Sequence, residues 1–546
     1  MKKGITAAFF AALALMSAGA FSACDYEERV PAPGQSVETP DKDEQTPDGG
    51  GTQKPENPTP ENPDDNPEEE SQKIHTVTFI NGNTTSSQKV EEGKTVTLPG
   101  VSEKDGYDFI GWLSNDKLWE ESTPVTESIT LRASFEALFT MDGGEIVDFT
   151  SYGKSHQKSD LIIPEKIGGV TVTSIGGYAF DGATATRLSI PKTVTSIGDS
   201  AFKNMVNCKT VEFLPKNCAD FSSNHFAFLA LGEDTNGVQI VFGKDVRRIP
   251  AYLFQPYSYD YHPANIASVT FAENAVCEEI GNNAFNTLSA LSSVSLPQSL
   301  KTVGSYAFGG CSSLSSINLD RVTRISSNAF EYTNIQAAKL SSLQTANQYA
   351  FYNCKKITEV ELPLLQRIPP NMFNACVNLE TVKIGDQATE IGAYSFAFCE
   401  KLEALSIGKN VTIIGHHAFD QCKSLLSLVI PDKVETVAAD AFSGCNALKS
   451  LSLGKGLQEI GYHAFYNCTS LTYLHFQSVP QISSDAFYGF PSNAEIYFYG
   501  TEQQWQSASL ISGLRNIENV YFYSAAQPSI SGAYWYYDQN GAVKKW

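Results

Sequence analysis

From Phe180 to Phe487 the chain repeats a Phe, usually as an Ala-Phe dipeptide, at a nearly fixed period. In the cleanest stretch the rings are Phe351, Phe373, Phe396, Phe419, Phe442 and Phe465, at intervals of 22, 23, 23, 23 and 23 residues. Such a period with a Leu-x-x-Leu-x-Leu core demands a stacked solenoid, because one unit of that size buries only one apolar edge and cannot fold alone. One unit runs from Leu402. Leu402, Leu405 and Ile407 make a strand, Val411 and Ile414 turn the chain, and Gly415 permits a bend. Ala418 and Phe419 then begin a short helical turn, and Leu425 opens the next strand. Fourteen rungs are marked by Phe180, Phe202, Phe228, Phe254, Phe285, Phe308, Phe330, Phe351, Phe373, Phe396, Phe419, Phe442, Phe465 and Phe487.

The Ile-Gly-x-x-Ala-Phe-x-x-Cys-x-x-Leu pattern of Ile414 to Leu425 resembles the BspA-type leucine-rich repeats of bacterial and protist surface proteins. The resemblance implies a leucine-rich-repeat β/α horseshoe with a parallel sheet, and adhesion to host matrix proteins or other cells. It covers about 138–546, with an N-terminal cap near 138–175 and a C-terminal cap over 491–546, so the solenoid proper spans 137–490. Residues 74–136 form a separate small domain. Val77–Phe79, Thr95–Leu98 and Ile129–Phe135 read as strands, with turns at Asn81-Gly82 and Glu92-Gly93. The run Gly106-Tyr107-Asp108-Phe109-Ile110-Gly111-Trp112 and the later Thr123-Pro124-Val125-Thr126 resemble the Listeria–Bacteroides repeat, a β-grasp-like module of extracellular bacterial proteins. Tyr107 and Trp112 are either ligand contacts or, in so small a domain, its core.

The N-terminus reads as an export signal over 1–23. Lys2 and Lys3 precede an apolar run from Ile5 to Ala20, too short for a comfortable membrane span. Phe21-Ser22-Ala23-Cys24 resembles a lipobox, which implies lipidation of Cys24; ordinary cleavage after Ala20 is the alternative. Residues 24–73 read as a disordered, acidic, Pro-rich stalk, with 15 Asp/Glu against 4 Lys/Arg over 25–73. With a formal charge of −21, the chain as a whole repels phosphates, which argues against a nucleic-acid partner. The reading is therefore an exported, monomeric surface protein, lipid-anchored, with the anchor as its membrane contact.

Seven cysteines share one slot, three residues after the Phe: Cys311, Cys354, Cys376, Cys399, Cys422, Cys445 and Cys468. Ala183, Leu231 and Phe490 fill the same slot elsewhere, so it asks for apolar volume, and buried thiols suit it better than disulfides or zinc. Along each strand, the residue between the last two apolar positions points off the sheet. That column includes Lys339, Glu361 and Lys383, which read as cross-strand pairs or an electrostatic docking site, and ends in His475, Tyr497 and Tyr521. Tyr473, His475 and Tyr497 are candidate ligand contacts, with closure of the array as the other reading. So are Tyr257, Tyr259 and Tyr261, in an insertion between Phe254 and Phe285 that is either a binding loop or a tolerated surface loop. Glu359 and Glu361 lie on an open strand face rather than in a cleft, and no nucleophile or phosphate-loop motif appears in a plausible context. The sequence thus points to a binding protein without catalytic residues, cofactor or metal. Its partner would be an extracellular protein of host matrix or neighbouring cell, or alternatively a glycan held by tyrosines.

Overall fold

The computed structural model describes residues 72–255, 263–507, 514, 517–529 and 532–546. The signal segment, Cys24, nearly all of the stalk, and Tyr257, Tyr259 and Tyr261 lie outside the described residues.

The small domain is a five-stranded sheet built from β1 (Ile74–Asn81), β2 (Thr84–Glu91), β3 (Tyr107–Ser114), β4 (Lys117–Leu118) and β5 (Ile129–Ala137), in the order β2-β1-β5-β3-β4. β1 pairs antiparallel with β2 and parallel with β5, and β5 pairs antiparallel with β3. Gly82 closes the first hairpin at φ +56°, as the Asn-Gly signal requires. The expected strand at Thr95–Leu98 is instead one bridge from Thr95 to Pro124, beside which Val125 N–H donates to Lys94 O at 2.8 Å. Trp112 is buried beside Phe79, with ring centroids 5.1 Å apart. Tyr107 behaves differently: it packs against the solenoid's core rather than its own domain's.

The solenoid opens with a hairpin of β6 (Phe139–Asp142) and β7 (Glu145–Phe149), a single helical turn α1 (Ser151–Ser155), and β8 (Asp160–Ile162), the first strand of the main sheet. From there each rung has three sides. The first is a parallel strand, in register from rung to rung, as Leu188 beside Val211 and Val382 beside Leu405 show. The second is a two-residue strand such as Ile413–Ile414, stacked between Glu390–Ile391 and Thr436–Val437. The segment expected only to turn the chain therefore builds a second ladder, since β-branched residues such as Ile413 and Ile414 favour the extended backbone whose N–H and C=O groups can pair.

The third side carries the Phe. From Phe285 to Phe487 its turns contain left-handed residues two before and two after each ring, as at His417 (φ +53°) and Gln421 (φ +60°) around Phe419. That alternation prevents helix propagation. Among the described residues, α-helix is confined to Ser151–Ser155 and Glu502–Ser507. It also aims N–H groups at the next rung: Phe396 donates to Ala418 O at 2.8 Å, and Phe419 to Ala441 O at 2.7 Å. All three sides thus satisfy their backbone between neighbours. Gly415 serves this stacking, because a Cβ there would meet Ile391 O at 2.8 Å.

Inside, the Phe rings form one column. From Phe285 to Phe487 successive centroids lie 5.1–5.5 Å apart with planes within 12°. The seven slot cysteines are buried and free. Each thiol faces the Phe carbonyl of the preceding rung, at 3.0 Å from Cys311 to Phe285 O and 3.5 Å from Cys468 to Phe442 O. Cys therefore supplies a weak donor as well as apolar volume. Burial keeps the thiols protonated, with Cys311 and Cys354 pushed up to about 12. Cys208 and Cys277 are also free and buried, while Cys218 is free and partly exposed.

Candidate binding surfaces

The column on the outer face of the main sheet falls where the sequence places it. Lys339, Glu361, Lys383 and Ser406 are register neighbours, and Lys383 forms an ion pair with Glu361. Both partners are more than half exposed, which makes this ordinary cross-strand pairing of small energetic weight.

The aromatic end is brought together but covered. Tyr473, His475 and Tyr497 lie on adjacent strands, with Tyr473 and Tyr497 centroids 5.1 Å apart. The hairpin of Tyr534–Tyr537 and Val543–Lys545 folds over them and leaves His475 4% and Tyr497 5% exposed. Trp535, fully buried, meets the His475 ring edge-on at 5.0 Å and donates its indole N–H to Phe498 O at 3.1 Å. His475 Nε2 lies 3.2 Å from the Tyr537 hydroxyl and Nδ1 lies 3.3 Å from the Ser452 hydroxyl. Burial lowers the His475 pKa to about 4, so the ring is neutral near pH 7. Tyr497 donates to Glu495 at 2.8 Å; burial, then that carboxylate, pushes its phenol up to about 12. Lys545 binds Glu495 at 2.6 Å and the Tyr521 hydroxyl at 2.9 Å. His475 and Tyr497 are therefore buried, as closure of the array expects and a surface ligand contact does not. They seal the solenoid, and only the half-buried Tyr473 retains part of its surface.

The exposed aromatic surface lies elsewhere, on the Phe-bearing side. The left-handed position two before the Phe holds Tyr178, Tyr252, Tyr306, Tyr349 and Tyr394, at φ +55° to +61°, and then His417 and His463. Asn283, Asn328 and Asn371, and Ser200, Asp440 and Asp485, fill it on other rungs. Asn tolerates this backbone easily, whereas a bulky ring in it costs about 1–2 kcal/mol. Tyr178 is 57% and Tyr306 38% exposed. Neighbouring turn positions add the exposed Tyr332, Phe398, Tyr462 and Tyr488. The rings touch one another across rungs: Tyr332 with Tyr352 at 5.5 Å, Tyr394 with His417 at 4.5 Å, and Tyr466 with Tyr488 at 5.2 Å. The same period, taken two residues before the Phe, marks this column in the sequence too.

Comparison with known proteins agrees with this architecture. Residues 150–260, 255–376 and 366–493 match the BspA type leucine rich repeat region, and residues 75–134 match the Listeria-Bacteroides repeat domain. The repeat matches span more than half of the chain, which belongs to the BspA-type leucine-rich-repeat family. No curated protein gives a significant match. Among solved structures, the chain is similar to a leucine-rich repeat protein from Bacteroides ovatus, at 23% identity over 66% of this chain and 96% of that one, with a TM-score of 0.45. It is also similar to a leucine rich cell surface protein from Faecalibacterium prausnitzii, at 22% identity over 69% and 99% of the two chains, with a TM-score of 0.33. The pneumococcal vaccine antigen PcpA is similar at 18% identity over 77% and 99%, with a TM-score of 0.33. Among the described residues, no helix is long and apolar enough to cross a membrane.

Proposed function

We propose that this is a bacterial cell-surface binding protein, without catalytic activity, which presents the aromatic edge of its solenoid to a protein of host matrix or of a neighbouring cell. The observation that carries the reading is the Tyr column in left-handed backbone. Asn would fill those positions with less strain, so the rings serve something other than folding, and exposed Tyr is enriched in binding interfaces. The export signal at 1–23, the acidic stalk and acylation of Cys24 complete the reading: a monomer tethered by lipid, with its solenoid held away from the membrane. Acylation predicts a lipid-modified N-terminal Cys24 peptide in mass spectra of the membrane fraction; an unmodified terminus after Ala20 would remove the anchor from the reading.

A glycan is the second reading, supported by the contiguous rings, whose faces suit stacking on sugars. Purified protein tested on matrix proteins and on glycan arrays separates the two. Replacing Tyr306, Tyr332 and Tyr394 together by Ala is expected to weaken protein binding at least tenfold with an unchanged melting temperature, as for hot-spot aromatics. Binding confined to glycans would establish the second reading, and indifference to the triple substitution would sink both.

A further inference from the structure

The main sheet ends on its N-terminal side at a free strand edge that faces a cleft. β8 pairs on one side with Arg187–Ile190 and with no strand on the other among the described residues. Hydrogen-bond parity identifies the free groups. Arg187 N–H donates to Ser159 O at 3.1 Å and Ile163 N–H donates to Ser189 O at 3.0 Å. Residues 159, 161 and 163 therefore face the solenoid, and the N–H and C=O groups of Asp160 and Ile162 face away from it. Both residues are exposed, Ile162 at 55%.

These groups open into a cleft of about 1010 Å³ between the small domain and the first rung. That is at the upper end of the usual range for ligand sites, about 300–1,000 Å³. The far wall is the loop before β3 together with β3 and β5, including the exposed Phe109. The walls are held in place by contacts between the two domains. Asp108 binds Lys158 at 2.5 Å, Leu138 N–H donates to Gly106 O at 2.9 Å, and Tyr107 packs on the solenoid core. Glu103 and Asp105 on the loop are exposed and form no ion pair among the described residues.

We propose that this cleft is a second binding site, where an extended peptide segment of a partner protein adds to β8 as a new edge strand. Outward backbone groups of β8 supply its hydrogen bonds, which is the general mode of strand addition. Ile162 and Phe109 favour apolar side chains on the incoming strand, and Glu103 and Asp105 favour Lys or Arg beside them. The site is independent of the aromatic edge, so either can hold without the other.

The test uses the full chain and a phage-displayed library of random octapeptides. Selected peptides are expected to alternate apolar and basic side chains, and to slow amide hydrogen exchange at Asp160 and Ile162. Ile162→Pro removes one outward N–H while leaving the inward bonds of the strand, a substitution that sheet edges tolerate. It is expected to weaken these peptides at least tenfold. Absence of enrichment, or selected peptides that bind without slowing exchange at the two amides, overturns the proposal. Equal affinity for a folded Ile162→Pro protein does the same, as does an oligosaccharide occupying the cleft in place of peptide. Should Ile162→Pro fail to fold, the exchange measurement on the unsubstituted protein decides.

Discussion

The two ends of the solenoid solve the same problem by different means. At the C-terminal end the chain's own hairpin folds back over the last strands and buries Trp535 completely. At the N-terminal end the apolar core is covered by β6, β7 and α1, with Phe139 and Phe149 packed on Phe180. The edge of β8 is left without a strand partner, and a separate domain stands across a cleft from it. Covering apolar surface and satisfying a sheet edge are thus distinct tasks, and a solenoid can complete the first without the second.

The largest test of this contrast is Trp535→Ala. Removing a fully buried indole that also bonds Phe498 O is expected to destabilise the C-terminal end by about 3–5 kcal/mol. Its readout is an early melting transition and rapid amide exchange in Asn519–Tyr523, with the N-terminal rungs unaffected. A single unchanged transition would show that the hairpin does not hold the end closed.

Acid should act at the same end. His475 folds as a neutral ring, so the unfolded chain binds more protons between its ordinary pKa of 6.5 and the folded value of about 4. Its contribution is fully present above pH 6.5 and is lost as pH falls towards 4, by about 3 kcal/mol. His475→Phe should flatten that part of the stability profile measured by denaturant titration, and an unaltered slope would exclude the ring as the source.

At the N-terminal end the junction hinges on Gly106. Its φ is +78°, and a Cβ would lie 2.8 Å from Ile167 Cγ1. Gly106→Ala is expected to cost about 1–2 kcal/mol through the left-handed backbone alone. Proteolysis near Ala137 should then release the small domain from an intact solenoid; resistance equal to the parent would show that the junction absorbs the methyl group. The smallest effect is expected from Lys158→Ala. Its ion pair with Asp108 is largely solvated on the lysine side, and its loss should cost at most about 1 kcal/mol in thermal melting.

Much of the interior was legible in the sequence because each rung repeats one set of contacts with its neighbours. Phe419, Cys422 and Leu425 lie inside at the positions their period assigns. The register of Lys339, Glu361 and Lys383 follows from the same regularity. The second ladder at Ile413–Ile414 was less visible, since two residues are too few to show an alternating pattern. The aromatic end stayed open between ligand contact and closure for a different reason. Tyr and His are amphipathic, so composition alone cannot separate a sealed end from an open surface.

The amino-acid sequence by itself determined the stacked architecture, the buried Phe and Cys columns, and the small domain in front of them. These depend on contacts one rung apart, which a period near 23 residues encodes directly. Only the tertiary structure decided which rings face solvent and which end is closed. Those outcomes rest on single, unrepeated contacts: His475 meets Tyr537 across 62 residues, and Asp108 meets Lys158 across 50. No periodic signal announces a contact that is made once.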